Sequence, residues 1–208
     1  MKLEDLKGAY SAIFSLGDLC LTSLQLRDNN LRKFAGILDW VSSPDLKKVN
    51  MLLKDQFADF LNPDNLRIIQ YVSDWDLLVW DEIYNIGFNH DFKTDKNTLS
   101  HLGGYGEVKE KYDRRIHRFL ENLSTGQRIL FIRTEANREE AAELESILST
   151  MIESDFSILI INHTDVNDLV EKEWSLNKVC AIELPNQQDK WNANNHYWKR
   201  ILDGVSLL

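Results

Sequence analysis

Short runs of consecutive apolar residues alternate along the chain with segments in which apolar residues recur at helical spacing. The continuous runs are typical of strands that are buried on both faces of a sheet, and they cover residues 9–16, 129–132, 157–161 and 178–184. Helical spacing marks residues 19–30, 46–60, 108–123, 137–149 and 191–202. This alternation predicts the α/β fold class, a single domain over residues 1–208 with a mostly parallel central sheet flanked by helices.

The middle of the chain has a less regular pattern. Residues 77–88 are rich in β-favouring side chains without a clean period, which predicts a hairpin or an irregular pair of strands. The polar stretch over residues 92–106 contains two adjacent glycines, so it predicts a loop.

The first strand ends at a glycine, and a cysteine follows close behind it. Asp18, directly after Gly17, is the predicted N-cap of the next helix, which places Cys20 at the second helical position. There the helix dipole and unpaired amides lower the pKa of a thiol and can hold an oxyanion. The alternative is that Cys20 is a small buried apolar residue, as free cysteines often are. Cys180 lies inside an apolar strand and is predicted to belong to the core.

Charge and composition exclude several classes of function. The chain of 208 residues has a net charge of −9, which argues against a protein that neutralises nucleic-acid phosphates. Two cysteines fit a reducing compartment, and neither a signal peptide nor an 18-residue apolar window is found, so we expect a cytoplasmic protein without membrane contact. No spacing typical of zinc sites or phosphate loops occurs, so no metal and no cofactor is expected. The sequence does not indicate an oligomeric state.

Polar residues follow the predicted strands, at the edge where open parallel sheets bind ligands. They include Gly17 and Asp18 after the first strand, Asp91 after the irregular pair and Arg133 after the strand at residue 129. We expect these four residues to contact the substrate, with Arg133 as an anchor for an anionic group. A basic stripe from Lys111 to Arg118 could attract the same kind of ligand.

A cysteine nucleophile needs a base, and two of the five histidines follow predicted strands. His90 comes after the irregular pair, and His163 comes after the strand at residue 157. We take His90 as the first candidate for the base and His163 as the second.

Four short motifs in this order resemble an uncharacterised bacterial family described as papain-like cysteine peptidases. They are SLGDLC at residues 15–20, DW at 39–40, HDF at 90–92 and YDRRI at 112–116, and the resemblance spans roughly residues 10 to 165. The resemblance implies that Cys20 is the nucleophile and His90 the base. Asp39 is the favoured third residue that orients the histidine, with Asp91 and Asn162 as alternatives. It also implies a papain-like α+β fold as the alternative to the parallel sheet.

Two functions are therefore open. The first is a cysteine-dependent hydrolase or acyl transferase acting on a peptide or small-molecule substrate, an anionic one included. The second is a non-catalytic or transferase-type domain that binds a nucleotide, a sugar or another polar metabolite at the carboxyl ends of the strands.

Overall fold

Five α-helices and thirteen β-strands make up the protein, which a computed structural model describes over residues 1–208. The helices are α1 (Leu21–Asp28), α2 (Leu46–Lys54), α3 (Tyr105–Thr125), α4 (Arg138–Met151) and α5 (Asn195–Leu202). The strands are β1 (Gly8–Tyr10), β2 (Ala12–Ser15), β3 (Val41–Ser42), β4 (Leu66–Tyr71), β5 (Asp76–Asp81), β6 (Ile86–Lys93), β7 (Asn97–Thr98), β8 (His101–Leu102), β9 (Arg128–Thr134), β10 (Asp155–Thr164), β11 (Val170–Lys172), β12 (Val179–Pro185) and β13 (Val205–Leu207).

A five-stranded sheet lies between two apolar layers. Its strand order is β11-β12-β10-β9-β2, and all neighbours are parallel except β11, which runs antiparallel to β12. Phe131 and Ile158 project into one core, whereas Ile132 and Leu159 project into the other. Because both faces are covered, these strands are apolar at nearly every position, which is the pattern that predicted them.

A second sheet is wholly antiparallel and packs onto the larger of the two cores. Its order is β3-β6-β5-β4, and β5 with β6 forms the hairpin predicted for residues 77–88. Phe88 and Phe92 of this sheet lie in the same core as Phe131 of the five-stranded sheet. Strand β4 was not predicted, because its outer side chains, among them Ile69 and Tyr71, are exposed and interrupt the alternation.

The predicted fold class is confirmed in part. The protein mixes helices and sheets, and parallel pairing dominates the five-stranded sheet, but the protein as a whole does not have one mostly parallel sheet. The predicted loop over residues 92–106 is wrong in part, because β6 continues to Lys93 and β7 pairs with β8. The last helix begins at Asn195 rather than near Trp191. No helix is both long and apolar enough to cross a membrane.

Candidate active site

The turn between β2 and α1 carries the candidate nucleophile. Gly17 has a φ of +91°, and its peptide bond to Asp18 is cis. Cys20 is the N-cap residue of α1, so the prediction that Asp18 caps this helix is wrong. The Asp18 carboxylate instead accepts a hydrogen bond from the Thr134 hydroxyl at 2.8 Å. Cys20 therefore stands at the amino end of α1, next to the carboxyl edge of the parallel strands.

The Arg133 side chain supports this turn through hydrogen bonds to Leu16 and Ser43. Its Nη1 donates to the Leu16 carbonyl at 2.8 Å and to the Ser43 hydroxyl at 3.1 Å, and its Nη2 donates to the Ser43 carbonyl at 2.7 Å. The side chain is fully buried, and burial lowers its pKa to about 10, so it remains protonated at neutral pH. The prediction that Arg133 contacts an anionic substrate is wrong, because its guanidinium does not reach the surface.

Substitution of Gly17 by alanine is expected to destabilise the protein, because two effects oppose a side chain there. A positive φ costs an L-residue about 1–2 kcal/mol, and a Cβ would lie 2.1 Å from the Ser43 hydroxyl and 2.7 Å from Arg133 Nη1. We expect a loss of about 2 kcal/mol or more in the free energy of unfolding, measured by urea denaturation. Gly106→Ala is the matched control, because no atom lies within 4 Å of its Cβ position and alanine favours α3. An equal effect of the two substitutions would contradict the assigned role of Gly17.

The environment of Cys20 differs from the expected one. Burial raises the pKa of the Cys20 thiol, and the charges of Asp39 and Asp18 raise it further, against a lowering by hydrogen bonding to its own backbone. The prediction of a lowered pKa is therefore wrong, because two carboxylates and partial burial outweigh the favourable effect of the helix start. The side chain is nevertheless half-buried rather than buried, so it is accessible to a substrate.

Asp39 is a buried carboxylate with fixed partners. One of its oxygens accepts hydrogen bonds from Arg32 Nε at 2.9 Å and from the Gly36 amide at 2.8 Å, and Arg32 Nη2 lies 2.8 Å from the same oxygen. The Arg32 guanidinium also lies over the Trp40 ring, 5.2 Å from its centroid. The carboxylate that raises the pKa of Cys20 thus has a fixed orientation and is paired with a cation of its own.

The pairing of β3 with β6 brings the strand of His90 next to Asp39. Val41 pairs with Phe88 in antiparallel register, so each step back along β3 corresponds to one step forward along β6. Asp39 lies in the turn directly before β3, and His90 lies two residues beyond Phe88 on β6. The sequence motifs that contain these two residues therefore meet at one end of the second sheet.

A β-bulge displaces His90 from the regular pleat of β6. Phe88 pairs with Val79 and Phe92 pairs with Leu77, so that three residues of β6, at positions 89–91, lie opposite one residue of β5. Bulges of this kind are common next to active sites, where they redirect a side chain. The His90 side chain is exposed, and its ring makes no hydrogen bond within the protein. Among the histidines, only the ring of His163 makes one.

The two alternatives to Asp39 as the orienting residue are occupied elsewhere. The Asp91 carboxylate is buried and accepts hydrogen bonds from Lys111 and from the Tyr112 hydroxyl, the latter at 2.9 Å. The Asn162 amide donates to the Ala136 carbonyl and accepts from its amide, both at 2.8 Å. Neither side chain makes a hydrogen bond to the His90 ring. The Asp91 carboxylate binds two residues of α3, so it does not serve as the expected substrate contact.

A second histidine–carboxylate pair lies at the carboxyl ends of β9 and β10. His163 Nδ1 lies 2.6 Å from a Glu135 oxygen, and the His163 ring is buried with no partner for Nε2. A small cavity of about 10 Å³ lies beside this pair, lined also by Asp18 and Thr134. Burial acts to raise the pKa of Glu135, but hydrogen bonding and charge from His163 reverse this and hold the pKa below its ordinary value. The sequence indicated His163 as a candidate base but not its carboxylate partner.

Larger depressions lie elsewhere on the surface. One of about 640 Å³ lies between α3 and α4, and another of about 710 Å³ lies beside the amino terminus. Neither is lined by Cys20 or His90. No group of three or more histidine, cysteine, aspartate and glutamate side chains is arranged to hold a metal ion.

Substitution of Asp39 by asparagine is expected to lower the pKa of Cys20. A nearby negative charge disfavours the thiolate, so its removal favours the thiolate and leaves the Arg32 cation uncompensated. The rate of Cys20 alkylation by iodoacetamide, followed by peptide mapping from pH 6 to pH 10, should reach half its maximum at a lower pH. Asp28→Asn, the same change at the far end of α1, should leave the profile unchanged. An unaltered profile for Asp39→Asn would rule out the coupling between the two residues.

The fold and the site together define a mixed α/β protein with a partly buried cysteine at a helix start, a buried aspartate that raises the pKa of its thiol, and an exposed histidine on strand β6. The chain belongs to the family described as "Putative papain-like cysteine peptidase (DUF1796)", which matches residues 11–166. It is also 29% identical to "Uncharacterized protein R408" of Acanthamoeba polyphaga mimivirus, over 90% of this chain and 95% of that protein. This relative comes from a virus, so the expectation that such proteins are bacterial is not confirmed. No solved structure matches the chain significantly.

Proposed function

We propose that the protein is a cysteine-dependent hydrolase or acyl transferase, with Cys20 as the nucleophile, His90 as the general base and Asp39 as the positioning residue. One observation carries this proposal: the pairing of β3 with β6 brings the turn of Asp39 alongside the strand of His90, and the charge of the buried Asp39 carboxylate raises the pKa of the Cys20 thiol. The description of the family as cysteine peptidases supports the same assignment.

The raised pKa of Cys20 determines how the reaction begins. The resting side chain is a neutral thiol, so the proton must leave during the attack and not before it. As the sulfur bonds to the carbonyl carbon of an amide or ester, the thiol proton passes to the His90 ring and the carbonyl electron pair moves onto oxygen. The Asp39 charge opposes a free thiolate but stabilises the imidazolium that forms, which favours this concerted route.

The start of α1 offers hydrogen-bond donors for the developing oxyanion. The Leu24 amide is the first to bond back to the Cys20 carbonyl, at 3.0 Å, so the amides of the turn before it have no partner within the helix. When the oxyanion collapses, the bond to the leaving group breaks and that group takes the proton from His90. A thioester on Cys20 remains, and water or another nucleophile then releases the acyl group.

Labelling with a peptidyl acyloxymethyl ketone tests the roles of Cys20 and His90. This electrophile is attacked by a catalytic cysteine, so we expect an adduct on Cys20 and none on Cys180, whose burial raises its pKa to about 12. His90→Ala should slow the labelling by about 10²-fold or more, the usual contribution of a general base. The control is His101→Ala, which removes another exposed histidine in the β7–β8 hairpin. Equal labelling rates for the two variants would exclude His90 as the base.

The His163–Glu135 pair favours a second candidate function. Its unpartnered Nε2 lies at the carboxyl ends of parallel strands, where open sheets bind nucleotides, sugars and other polar metabolites. The cavity of about 10 Å³ beside it has to widen to admit such a ligand. In that case the protein is a binding or transferase-type domain, and Cys20→Ala retains ligand affinity and activity. His163→Ala, by contrast, then loses both.

A further inference from the structure

We propose that the candidate site selects substrates that carry a carboxylate beside the bond under attack, such as peptides with aspartate or glutamate there. The recognition element is a basic stripe on α3, formed by Lys111, Arg115 and Arg118 at helical spacing i, i+4 and i+7. This inference rests on the proposed function, because it takes Cys20, His90 and Asp39 as the reacting centre.

Contacts at both ends of the basic stripe place it along the candidate site. At one end, Lys111 pairs with Asp91, the residue next to His90 on the bulged strand. At the other end, the Arg118 guanidinium lies 5.1 Å from the centroid of the Phe34 ring, in the segment that joins Arg32 to Asp39. The stripe therefore runs from the strand of His90 to the loop of Asp39.

The arginines of the basic stripe lack acidic partners, although the protein has an excess of acidic residues. The net charge is −9, yet neither Arg115 nor Arg118 forms a salt bridge, and both lie over aromatic rings instead. Arg115 Nη1 is buried and has no hydrogen-bond partner. The other guanidinium nitrogens of Arg115 and Arg118 are not buried and have no acceptor in the protein, so they are the donors that an incoming carboxylate can reach.

The chemistry of the site favours a carboxylate over a nucleic-acid phosphate chain. Arginine presents a planar fork that matches a carboxylate in two parallel hydrogen bonds, and two such forks suffice for one or two acidic side chains. A polyphosphate backbone extends further and meets the acidic remainder of the surface, which repels it. An acyl substrate also has to present an amide or ester to Cys20, as an acidic peptide does.

Equilibrium binding of matched peptides tests the inference without requiring turnover. Fluorescein-labelled octapeptides with blocked ends, identical except for two central Glu, Gln or Lys residues, are titrated with the Cys20→Ala protein and followed by anisotropy at low salt. The Glu peptide should bind about tenfold more tightly than the Gln peptide, and the Lys peptide should bind most weakly. Failure of the proposed catalysis would leave this order intact, so the two ideas are tested separately.

Charge-removing variants on α3 then locate the binding. Arg115→Gln and Arg118→Gln should each weaken binding of the Glu peptide about tenfold and leave the Gln peptide unaffected. Arg200→Gln is the matched control, since it removes the same charge from an exposed position on α5, which packs on the other face of the five-stranded sheet. Arg115→Lys, which keeps the charge and the packing on Tyr112, should retain part of the affinity. Three results would overturn the inference. They are equal binding of the Glu and Gln peptides, equal effects of Arg200→Gln and Arg115→Gln, and tighter binding of an octathymidylate than of the Glu peptide.

Discussion

Replacement of Cys20 by alanine is expected to lower kcat/KM for peptide or ester hydrolysis by at least about 10³-fold, because the sulfur forms the covalent bond to the acyl group. Hydrolysis is measured by mass spectrometry on a mixture of peptides that includes acidic sequences. Cys20→Ser should be nearly as inactive, since the hydroxyl is a far weaker nucleophile in the same position. Both variants should fold normally, because the half-buried thiol makes no cap hydrogen bond at the start of α1.

Cys180→Ala is the matched control for the loss of a thiol. Cys180 lies in strand β12, buried in the smaller of the two cores, so its removal leaves a small gap but takes away none of the residues assigned to the site. We expect full activity from this variant and a modest loss of stability of about 1 kcal/mol. Activity that survives in Cys20→Ala would instead favour the binding or transferase-type domain centred on His163 and Glu135.

Replacement of Arg133 by methionine is expected to cost about 3 kcal/mol or more in the free energy of unfolding. The substitution leaves the carbonyls of Leu16 and Ser43 and the Ser43 hydroxyl without their donor in a buried place, and each such loss costs about 1–3 kcal/mol. Arg133→Lys should be destabilised as well, because one ammonium cannot replace a fork that reaches three oxygens. Urea denaturation gives the size of the effect.

The same substitution should also alter the reactivity of the nucleophile. Arg133 joins the end of β2 to the residue that follows β3, so its loss loosens the turn that carries Cys20. In Arg133→Met, under conditions where the protein is still folded, iodoacetamide should label Cys20 with a different pH profile. Arg114→Met, which removes an exposed arginine from α3, serves as the control. If Arg133→Met is as stable as this control, the proposed support of the turn is incorrect.

The parts of the fold that the sequence predicted well are those in which local pattern and burial agree. Strands β9, β10 and β12 read as continuous apolar runs because apolar layers cover both faces of their sheet. Helix α3 was recognised because Val108, Tyr112 and Phe119 share one buried stripe. Strand β4 was missed because most of its residues face solvent. Its pairing with β5 is a tertiary contact, which the local hydrophobic pattern does not indicate.

The candidate site shows the same division between local and long-range information. Gly17 and Cys20 belong to one local turn, so the turn itself and the place of Cys20 near the start of α1 could be predicted from neighbouring residues. The direction of the Cys20 pKa shift could not, because it depends first on burial of the thiol and then on the charges of Asp39 and Asp18, all of which are set by the tertiary fold. The sequence likewise indicated that Arg133 is a surface cation. In the fold it is buried, because Ser43 packs against the turn and accepts its hydrogen bonds. The motif order that resembles the peptidase family supplied the link between Cys20, Asp39 and His90 that spacing alone did not.

The most direct test of the central claim is detection of an acyl group on the Cys20 sulfur during turnover. The wild-type protein is mixed with a slowly released 4-nitrophenyl ester, quenched in acid within seconds and digested, and the peptide that contains Cys20 is analysed by mass spectrometry. The account predicts a thioester on Cys20 that accumulates in the wild type, that forms at least about 10²-fold more slowly in His90→Ala and that is absent from the denatured chain. An acyl group that is absent from Cys20, or that forms equally fast in His90→Ala and in the wild type, would contradict it.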